Sequence, residues 1–523
     1  MPISFRIVSR SERSSVKGEN SVILVEDNWD DYSFKSSFEV IVLGTGGWRL
    51  DAGTIKIGYV GQKEGWTKEA MTPIFTELPP GWFSLGQDVD YYEKIRGKLN
   101  PQFANEVLRA LRDVVFDEKL LSLANEEQVF KVSLMRGVSL SVIHGQFKRV
   151  LNGDIVLTDF RFSYRDPGSP KRAPVNLQFR VKPASTPSTN VHVLIGRNGV
   201  GKTTLLNNMV GAVLAPAGTA ESSGQFFEAS EWGAEKPLPT DYFSSVVSVS
   251  FSAFDPFIPP ADQPDRTKGV AYFYVGMKKA RSSDSVHAVP EPHKSDADLA
   301  NDFLESFRSC LSQPAKRKRW KAAIDRLESD ENFADMELGR ILEAKDEETA
   351  LAFARSLVGR MSSGHSIVLL TITKLVDAVE EKTLVLVDEP ESHLHPPLLS
   401  AFTRALSDLL HNRNGVAIIA THSPVVAQEV PRVCVWKLTR LRAEGRADRP
   451  ERETFGENVG VLTREIFGLE VKKSGFHEML QRAVAAGGTF DSIYEEYNGQ
   501  LGFEAQAIVR SLISTRDSST SSK

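Results

Sequence analysis

Cysteine is nearly absent from this 523-residue chain, which contains only Cys310 and Cys434. Two cysteines this far apart in sequence exclude a disulfide framework and a four-cysteine metal site, and they favour a reducing compartment. Long apolar runs are also missing, so no segment reaches membrane-spanning length, and residues 1–6 lack the apolar region of a secretory signal. We therefore expect a cytoplasmic protein with no membrane partner.

An excess of charge of one sign is missing as well. The chain has 63 lysines and arginines against 68 acidic residues, a formal net charge of −5. This balance argues against a protein coated in nucleic acid, but it leaves a local basic patch open. Hydrophobic residues make up 41% of the chain, which is ordinary for a globular protein of about two to four domains.

A glycine-rich segment at residues 196–203 is the most informative feature of the chain. It follows an apolar run at 191–195 and precedes a predicted helix at 204–210, so it joins a strand to a helix as a phosphate-binding loop does. The glycines let backbone N–H groups converge on phosphate oxygens, Lys202 can reach the β- and γ-phosphates, and the Thr203 hydroxyl can bind Mg²⁺. The segment predicts that a nucleoside triphosphate and Mg²⁺ are bound, with the nucleotide held by Gly196, Arg197, Asn198, Gly199, Val200, Gly201, Lys202, Thr203 and Thr204.

Two further apolar runs end in polar residues suited to phosphate chemistry. Residues 384–387 lead into Asp388 and Glu389, and residues 416–420 lead into His422. At the carboxyl edge of a parallel sheet, Asp388 would face the Mg²⁺ held by Thr203, and Glu389 would polarise a water aimed at the γ-phosphate. His422 would contact that phosphate. The predicted catalytic residues are therefore Lys202, Glu389 and His422, with Thr203 and Asp388 as metal ligands.

A short polar segment lies about 25 residues before these carboxylates. It reads Met-Ser-Ser-Gly-His at 361–365 and is followed by the apolar residues 367–370. Serine hydroxyls and a glycine N–H at a helix start form an anion site, so Ser362, Ser363 and Gly364 are further candidate nucleotide contacts.

These four elements, in this order, resemble the ABC-type ATPase domain. Residues 196–203 match its Walker A motif, 361–365 its signature, 384–389 its Walker B motif, and His422 its switch histidine. The resemblance covers roughly 151–440. It implies an α/β fold with a helical insert at about 215–360, ATP hydrolysis to ADP and phosphate, and a head-to-head homodimer in which one subunit's signature contacts the γ-phosphate held by the other.

The segments around Glu389 and His422 are most similar to the soluble branch that includes RecF, RecN, SMC and OLD proteins. Residues 251–257, 274–276 and 453–458 resemble the ATPase subunit of the Septu antiviral system, PtuA. This resemblance implies an anti-phage switch that controls a separate HNH-type nuclease, since no Asp-x-Asp pair of a Toprim nuclease follows His422. A RecF-like DNA-repair ATPase without a nuclease is the alternative. A transporter ATPase is disfavoured by the extra domain before Walker A.

Three departures from the family pattern affect individual roles. His365 stands where the signature usually has glutamine, and Ser363 replaces a glycine, which alters the expected contact between subunits. No glutamine follows the predicted strand at 246–251, and Gln263 is the nearest later candidate for the Q-loop residue.

Two further regions of the chain are predicted on either side of the segment that resembles an ATPase domain. Residues 1–150 form an α+β domain with strands at 21–25, 37–43 and 54–57 and a helix from Pro101 capped by Asn100. Residues 441–523 form a C-terminal helical region whose tail is disordered from about 515.

Three further features each leave two interpretations open. The polar cluster at 27–31 is either a solvated turn or a metal or ligand site. Phe162 and Tyr164, in a predicted strand at 155–164, either stack on a base or belong to the core. The basic run at 316–321 is either a solvated helix face or a contact for DNA or RNA.

Overall fold

The computed structural model describes residues 3–154, 157–169, 173–215, 224–229, 236–250, 257–265, 269–280, 293–441, 444–471 and 475–521. It is an α/β protein with an N-terminal α+β unit, a P-loop-type sheet domain and a C-terminal helical region, so the predicted fold class is confirmed.

The N-terminal unit is a six-stranded sheet covered by helices. The sheet has the order β7-β1-β2-β4-β5-β8, with β1 and β2 parallel and the other neighbours antiparallel. Its strands are β1 Ser4–Val8, β2 Ser21–Glu26, β4 Ser37–Leu43, β5 Arg49–Tyr59, β7 Ile74–Phe75 and β8 Trp82–Gly86, with the short pair β3 Phe34–Lys35 and β6 Gly65–Trp66 beside it. All three strands predicted here are confirmed.

Five helices pack on this sheet and complete its core. They are α1 Val89–Lys98, α2 Pro101–Ala110, α3 Glu118–Ala124, α4 Leu140–Val142 and α5 Lys148–Asn152, with π-helical turns at Phe130–Leu134 and Ile143–Phe147. The predicted start of α2 is confirmed, because the Asn100 side chain accepts the Gln102 N–H and Pro101 occupies the first turn.

A seven-stranded sheet forms the centre of the second unit. Its order is β15-β14-β16-β17-β11-β18-β19, and every neighbouring pair is parallel except β18 with β19. The strands are β11 Val191–Gly196, β14 Ser245–Ser250, β15 Ala271–Gly276, β16 Leu384–Asp388, β17 Val416–Thr421, β18 Val435–Leu441 and β19 Glu444–Asp448. Both faces are buried, as is usual for a parallel sheet.

One face of this sheet packs on the helix that follows the glycine-rich segment and on a second, antiparallel sheet. The helix is α6 Lys202–Leu214, and the antiparallel sheet has the order β10-β9-β12-β13. Its strands are β9 Phe160–Asp166, β10 Val175–Val181, β12 Gln225–Glu228 and β13 Lys236–Pro237. The predicted strand at 155–164 therefore begins later than expected and lies outside the central sheet, and residues 155 and 156 lie outside the described part of the chain.

Phe162 and Tyr164 on β9 are core residues. Both are fully buried, and their rings pack with Phe179, Phe226 and Phe243. Stacking on a base is therefore wrong for these two residues, because aromatic partners from three neighbouring segments already cover them.

A helical lobe covers the other face of the central sheet. Its helices are α7 Asp296–Ser312, α8 Pro314–Leu327, α9 Glu331–Asp335, α10 Glu347–Val358 and α11 Ser363–Ala378, followed after β16 by α12 Pro396–Arg413 and α13 Pro424–Gln428. The helical character expected of the insert at about 215–360 is confirmed from Asp296 onward.

Four helices end the chain. They are α14 Val459–Val471, α15 Phe476–Ala485, α16 Phe490–Glu496 and α17 Phe503–Ser521. The last three share a small core of their own. The predicted disorder from about 515 is wrong as far as Ser521, since α17 continues to that residue and the hydroxyls of Thr515 and Ser518 donate to carbonyls four residues earlier.

Half of the basic run at 316–321 is held inside the protein. Lys316 is buried and pairs with Asp377 at 2.7 Å, Arg319 pairs with Asp88 of the N-terminal unit at 2.7 Å, and Trp320 is fully buried. The nucleic-acid interpretation of this run is therefore wrong for these three side chains, because each already has a partner from another element. Only Arg317, Lys318 and Lys321 of the run are solvent-exposed.

No helix in the described ranges combines the length and apolar character needed to cross a bilayer.

Candidate functional site

The carboxyl ends of β11, β17 and β16 meet at one edge of the central sheet. In the register, Leu194 pairs with Ala420, and Ala420 pairs with Asp388. Because the three strands are parallel, the segments that follow them open onto the same edge. The middle strand, β17, therefore places His422 between the glycine-rich loop and the Asp388–Glu389 pair.

The glycine-rich loop is shaped by two glycines with different roles. Gly201 has φ +98° just before α6, a left-handed conformation that L side chains rarely adopt. Gly196 lies so close to β18 that a Cβ atom there would stand 2.3 Å from the Leu438 carbonyl oxygen. The loop thus turns directly from a buried strand into the N-terminus of a 13-residue helix, where backbone N–H groups favour an anion.

Lys202 is held within this loop and faces the carboxylate side of the site. Its Nζ donates hydrogen bonds to the carbonyl oxygens of Gly196 and Arg197, both at 3.1 Å. The same Nζ is 3.7 Å from Glu389 Oε1, and the side chain is almost completely buried. An ammonium group held by two carbonyls and one carboxylate is positioned to exchange these partners for phosphate oxygens.

Asp388 and Glu389 occupy the end of β16 with different exposure. Asp388 is buried, whereas Glu389 is partly exposed and has φ +46°. The Glu389 N–H donates to the Ala420 carbonyl at 2.8 Å, which fixes this turn against β17. Thr203, in the first turn of α6, and Asp388 offer a hydroxyl and a carboxylate oxygen, and this donor set fits Mg²⁺ bound together with phosphates.

Glu391 is a site residue that the motif analysis missed. Its Oε1 accepts the Thr421 hydroxyl at 2.7 Å and the His422 N–H at 2.6 Å, and it lies 3.0 Å from His422 Nδ1. His422 Nδ1 is also 3.8 Å from Glu389 Oε1. Glu391 therefore fixes the segment that carries His422. The signal available in the sequence was a second carboxylate two residues after Glu389.

The predicted signature forms the start of α11. Ser362 and Ser363 are exposed, and Gly364 is buried so closely that a Cβ there would lie 2.5 Å from the His393 carbonyl oxygen. The Ser362 Oγ lies 2.5 Å from His365 Nδ1. The signature is thus packed on the loop that follows the Walker B carboxylates, with its two serines on the surface.

Gln263 does not lie at the sheet edge formed by the carboxyl ends of β11, β17 and β16. It forms an isolated bridge with Tyr272, near the amino end of β15, and its side-chain amide donates to the Val270 carbonyl. The glycine-rich loop, Asp388 and His422 lie at the other end of the strands of this sheet, so Gln263 does not occupy the position of a Q-loop residue. Residues 251–256, which directly follow β14 and carry part of the Septu resemblance, lie outside the described residues.

The acidic cluster at 27–31 is an ion-pair network. Asp27 pairs with Arg10 at 2.6 Å, and Asp31 pairs with Lys56 at 2.6 Å and Arg136 at 3.1 Å. Burial acts to raise the pKa of Asp31, but the charges of Lys56 and Arg136 and the hydrogen bonds from Lys56 and Trp29 together hold that pKa below its usual value. The metal interpretation of this cluster is wrong for Asp27 and Asp31, because basic side chains occupy the positions that a cation would take.

The sheet order, the glycine-rich loop and the carboxylate–histidine edge define a P-loop domain of the AAA and ABC ATPase type. Residues 218–427 match the family model described as "AAA domain, putative AbiEii toxin, Type IV TA system". That match begins after the glycine-rich loop and includes Asp388, Glu389 and His422. The chain belongs to the family of protein ea59 of Escherichia phage lambda, with which it is 46% identical over 532 residues, 98% of this chain and 99% of that protein.

Solved ATP-binding cassettes show a more distant similarity. The protein cbiO1 of Clostridium perfringens, part of the ABC transporter complex cbiONQ, is 16% identical with a TM-score of 0.28, and the match covers 60% of this chain and 92% of cbiO1. The ABC transporter cassette MJ1267 in its ADP conformation is 12% identical with a TM-score of 0.29 and covers 60% and 98%. Similarity at this level does not specify activity, ligands or partners.

Proposed function

We propose that this chain is an ATP-binding and ATP-hydrolysing switch that closes as a head-to-head homodimer. The observation that supports it is the cluster of Lys202, Glu389 and His422 at one sheet edge, where Glu389 Oε1 lies 3.7 Å from Lys202 Nζ and 3.8 Å from His422 Nδ1. A basic group, a carboxylate and an imidazole facing one another across a phosphate-binding loop can hold a γ-phosphate and align a water against it.

Each side chain has a distinct part in this proposal. Lys202 leaves its two carbonyl partners and binds the β- and γ-phosphates, while Glu389 orients and polarises the attacking water. His422, held by Glu391, contacts the γ-phosphate and responds to its loss. Mg²⁺, held by Thr203 and Asp388, supplies charge neutralisation on the phosphate oxygens.

The dimer is proposed from the position of the signature. The exposed serines Ser362 and Ser363 present hydroxyls at the N-terminus of the 16-residue helix α11, where an anion is favoured. On the surface of one subunit, these groups are available to a γ-phosphate bound by a second subunit. ATP would then close the dimer, and hydrolysis would release it.

We further propose that the switch acts in competition between phages and their hosts, by controlling a separate HNH-type nuclease. The phage source of protein ea59 and the toxin–antitoxin wording of the family model both fit such a role. A RecF-like repair function has less support, because Lys316 and Arg319 of the basic run at 316–321 are held in ion pairs with Asp377 and Asp88.

The dimer is tested by light scattering of the Glu389→Gln variant during gel filtration. With ATP and Mg²⁺ we expect twice the monomer mass, because ATP binds but is not hydrolysed, and we expect monomer without nucleotide. Lys202→Ala in the same background should remove ATP binding and leave a monomer. A Glu389→Gln protein that binds ATP and stays monomeric contradicts the head-to-head switch.

The partner is tested by capturing Glu389→Gln protein from its native host with ATP present. A nuclease recovered in stoichiometric amount supports the proposed control of a nuclease. Recovery of DNA without a nuclease would favour the repair function instead.

A further inference from the structure

Asp330, His365 and His395 form a compact cluster beside the signature. His365 Nε2 lies 3.4 Å from Asp330 Oδ1, and His395 Nε2 lies 3.2 Å from Asp330 Oδ2. Each residue comes from a different segment: the N-cap of α9, the first turn of α11, and the N-cap of α12. One ligand atom from each residue lies within 4.8 Å of the other two.

We propose that these three side chains bind a zinc ion. Two imidazole nitrogens and one carboxylate oxygen are ligands that Zn²⁺ prefers. Two ligand atoms at about 2.0–2.1 Å from a tetrahedral zinc stand roughly 3.3 Å apart, close to the 3.4 Å and 3.2 Å that separate the two histidine nitrogens from the two oxygens of Asp330. Asp330 and His365 are buried, whereas the His395 side chain is 47% exposed, so a water can complete the fourth position from the solvent side.

The surroundings of His365 favour coordination through Nε2. Its Nδ1 lies 2.5 Å from Ser362 Oγ, so with zinc on Nε2 the ring proton lies on Nδ1 and is donated to the serine. The Phe333 ring packs against the imidazole, with ring centroids 5.1 Å apart, and restricts its rotation. A hydrogen bond from the other ring nitrogen and a packed ring face orient metal-binding histidines in this way.

His395 must change its proton position to take part. Its Nδ1 accepts the Leu398 N–H at 3.3 Å, which places the ring proton on Nε2 in the metal-free protein. Zinc at Nε2 moves the proton to Nδ1 and removes this long cap hydrogen bond. The metal-free arrangement, in which Asp330 accepts from both rings, is therefore the state with which zinc competes.

The zinc ion would join two parts of the proposed switch. His365 belongs to the signature helix, and His395 lies six residues after Glu389. The contact between Gly364 and the His393 carbonyl already brings these segments together. Zinc would fix this pairing. A part for zinc in the switch rests on the proposed function, whereas zinc binding itself does not.

Cobalt absorption on metal-stripped full-length protein tests the site. We expect one equivalent of Co²⁺ to give the visible bands of a four-coordinate ion and one equivalent of Zn²⁺ to displace it. His365→Gln and His395→Gln should each weaken binding by at least about 100-fold, and Ser362→Ala by about 10-fold, because it removes only the outer hydrogen bond. His477→Gln, which changes a histidine on α15, should bind as the parent does.

Two results would overturn the site: no visible band with the parent protein, or bands that persist in both His365→Gln and His395→Gln. Circular dichroism of each variant establishes that it is folded, and Ser362→Ala gives a reading that does not depend on loss of a ligand. ATP binding by the same variants is measured separately. A protein that binds zinc but not ATP would reject the proposed function and leave the zinc site standing.

Discussion

Glu391 shows how one carboxylate can fix the position of a neighbouring strand end and of the histidine that follows it. Its single oxygen Oε1 accepts from both Thr421 and His422. We expect Glu391→Ala to lower kcat for ATP hydrolysis by up to about 100-fold, because His422 loses its fixed position, while the Kd for ATP stays unchanged. Steady-state kinetics and nucleotide binding separate the two effects.

Glu391→Gln is the matched variant for this experiment. The amide oxygen can still accept the Thr421 hydroxyl and the His422 N–H, so most of the activity should return. An alanine variant with parental kcat, or one that loses ATP binding in parallel, would contradict a positioning role.

Asp113 gives the N-terminal unit a pH-dependent stability. Burial raises its pKa to about 7, even though it accepts hydrogen bonds from the Tyr92 hydroxyl and from the Val115 and Phe116 N–H groups. Between about pH 4 and 7 the folded state therefore holds a proton that the unfolded state has released. The contribution of Asp113 to the free energy of unfolding is largest at low pH. It declines as pH rises through that window, by up to about 1.4 kcal/mol per pH unit.

The comparison with Asp113→Asn isolates this effect, because asparagine cannot titrate. We expect the Tm of the parent minus the Tm of Asp113→Asn to decrease as pH is raised from 5 to 7. A difference in Tm that is constant, or that grows with pH, would show that Asp113 is not protonated in the folded protein.

Positions that depend on neighbours in sequence are predictable, and those that depend on distant partners are not. Lys202, Asp388, Glu389 and His422 were found because each follows a recognisable strand, and the parallel sheet brings those strand ends together. Arg319 was misread as a surface charge because its partner, Asp88, lies 231 residues away. The core position of Phe162 likewise depends on rings from other strands.

At the scale of elements, the start of α11 is tightly packed against the loop before α12. A Cβ at Gly364 would stand 2.5 Å from a backbone oxygen, which cannot move as a flexible side chain can. We expect Gly364→Ala to destabilise the protein by about 1–3 kcal/mol. Chemical denaturation measures the loss.

Gly359→Ala, at the end of α10, is the control. A Cβ at Gly359 would lie 3.7 Å from its nearest neighbour, an ordinary van der Waals distance, and the φ of −65° suits alanine. We therefore expect this substitution to stabilise the protein by about 0.4–1 kcal/mol. Equal effects of the two substitutions would show that the contact with His393 is not tight.

Elements were predicted best where the hydrophobic pattern was strong. The helix at Pro101–Ala110 has a proline start, an asparagine cap and one apolar face, and it forms as expected. The end of α17 was missed because serine and threonine are weak helix formers, and a pattern of residues does not show hydroxyls bonding back to the preceding turn.

At the scale of the whole molecule, Asp88 joins the N-terminal unit to the ATPase-type domain. Burial acts to raise its pKa, but the guanidinium groups of Arg319 and Arg413 outweigh burial and hold that pKa well below its usual value. The two ion-pair distances are 2.7 Å and 3.2 Å. We expect Asp88→Asn, which can still cap α1, to cost about 3–5 kcal/mol, because two buried guanidinium groups lose their counter-ion.

Asp325→Asn is the control for this change. It removes a carboxylate from an exposed pair with Lys321 on α8 and should cost only about 0.3–0.5 kcal/mol. Denaturation curves give the free energy of unfolding of both variants. If Asp88→Asn lowers it no more than Asp325→Asn does, the two units are held together by other contacts.

Helix α12 connects the segment that carries His395 to the ion pair between Arg413 and Asp88. It runs from Pro396, directly after His395, to Arg413, whose guanidinium binds Asp88. At 1.5 Å per residue its 18 residues form a rod of about 27 Å. A tilt of about 5° at one end of such a rod displaces the other by roughly 2 Å. That displacement is comparable to the length of the ion pairs with Asp88. When α12 rotates, the N-terminal unit must therefore move with it, or the ion pair between α12 and Asp88 must break.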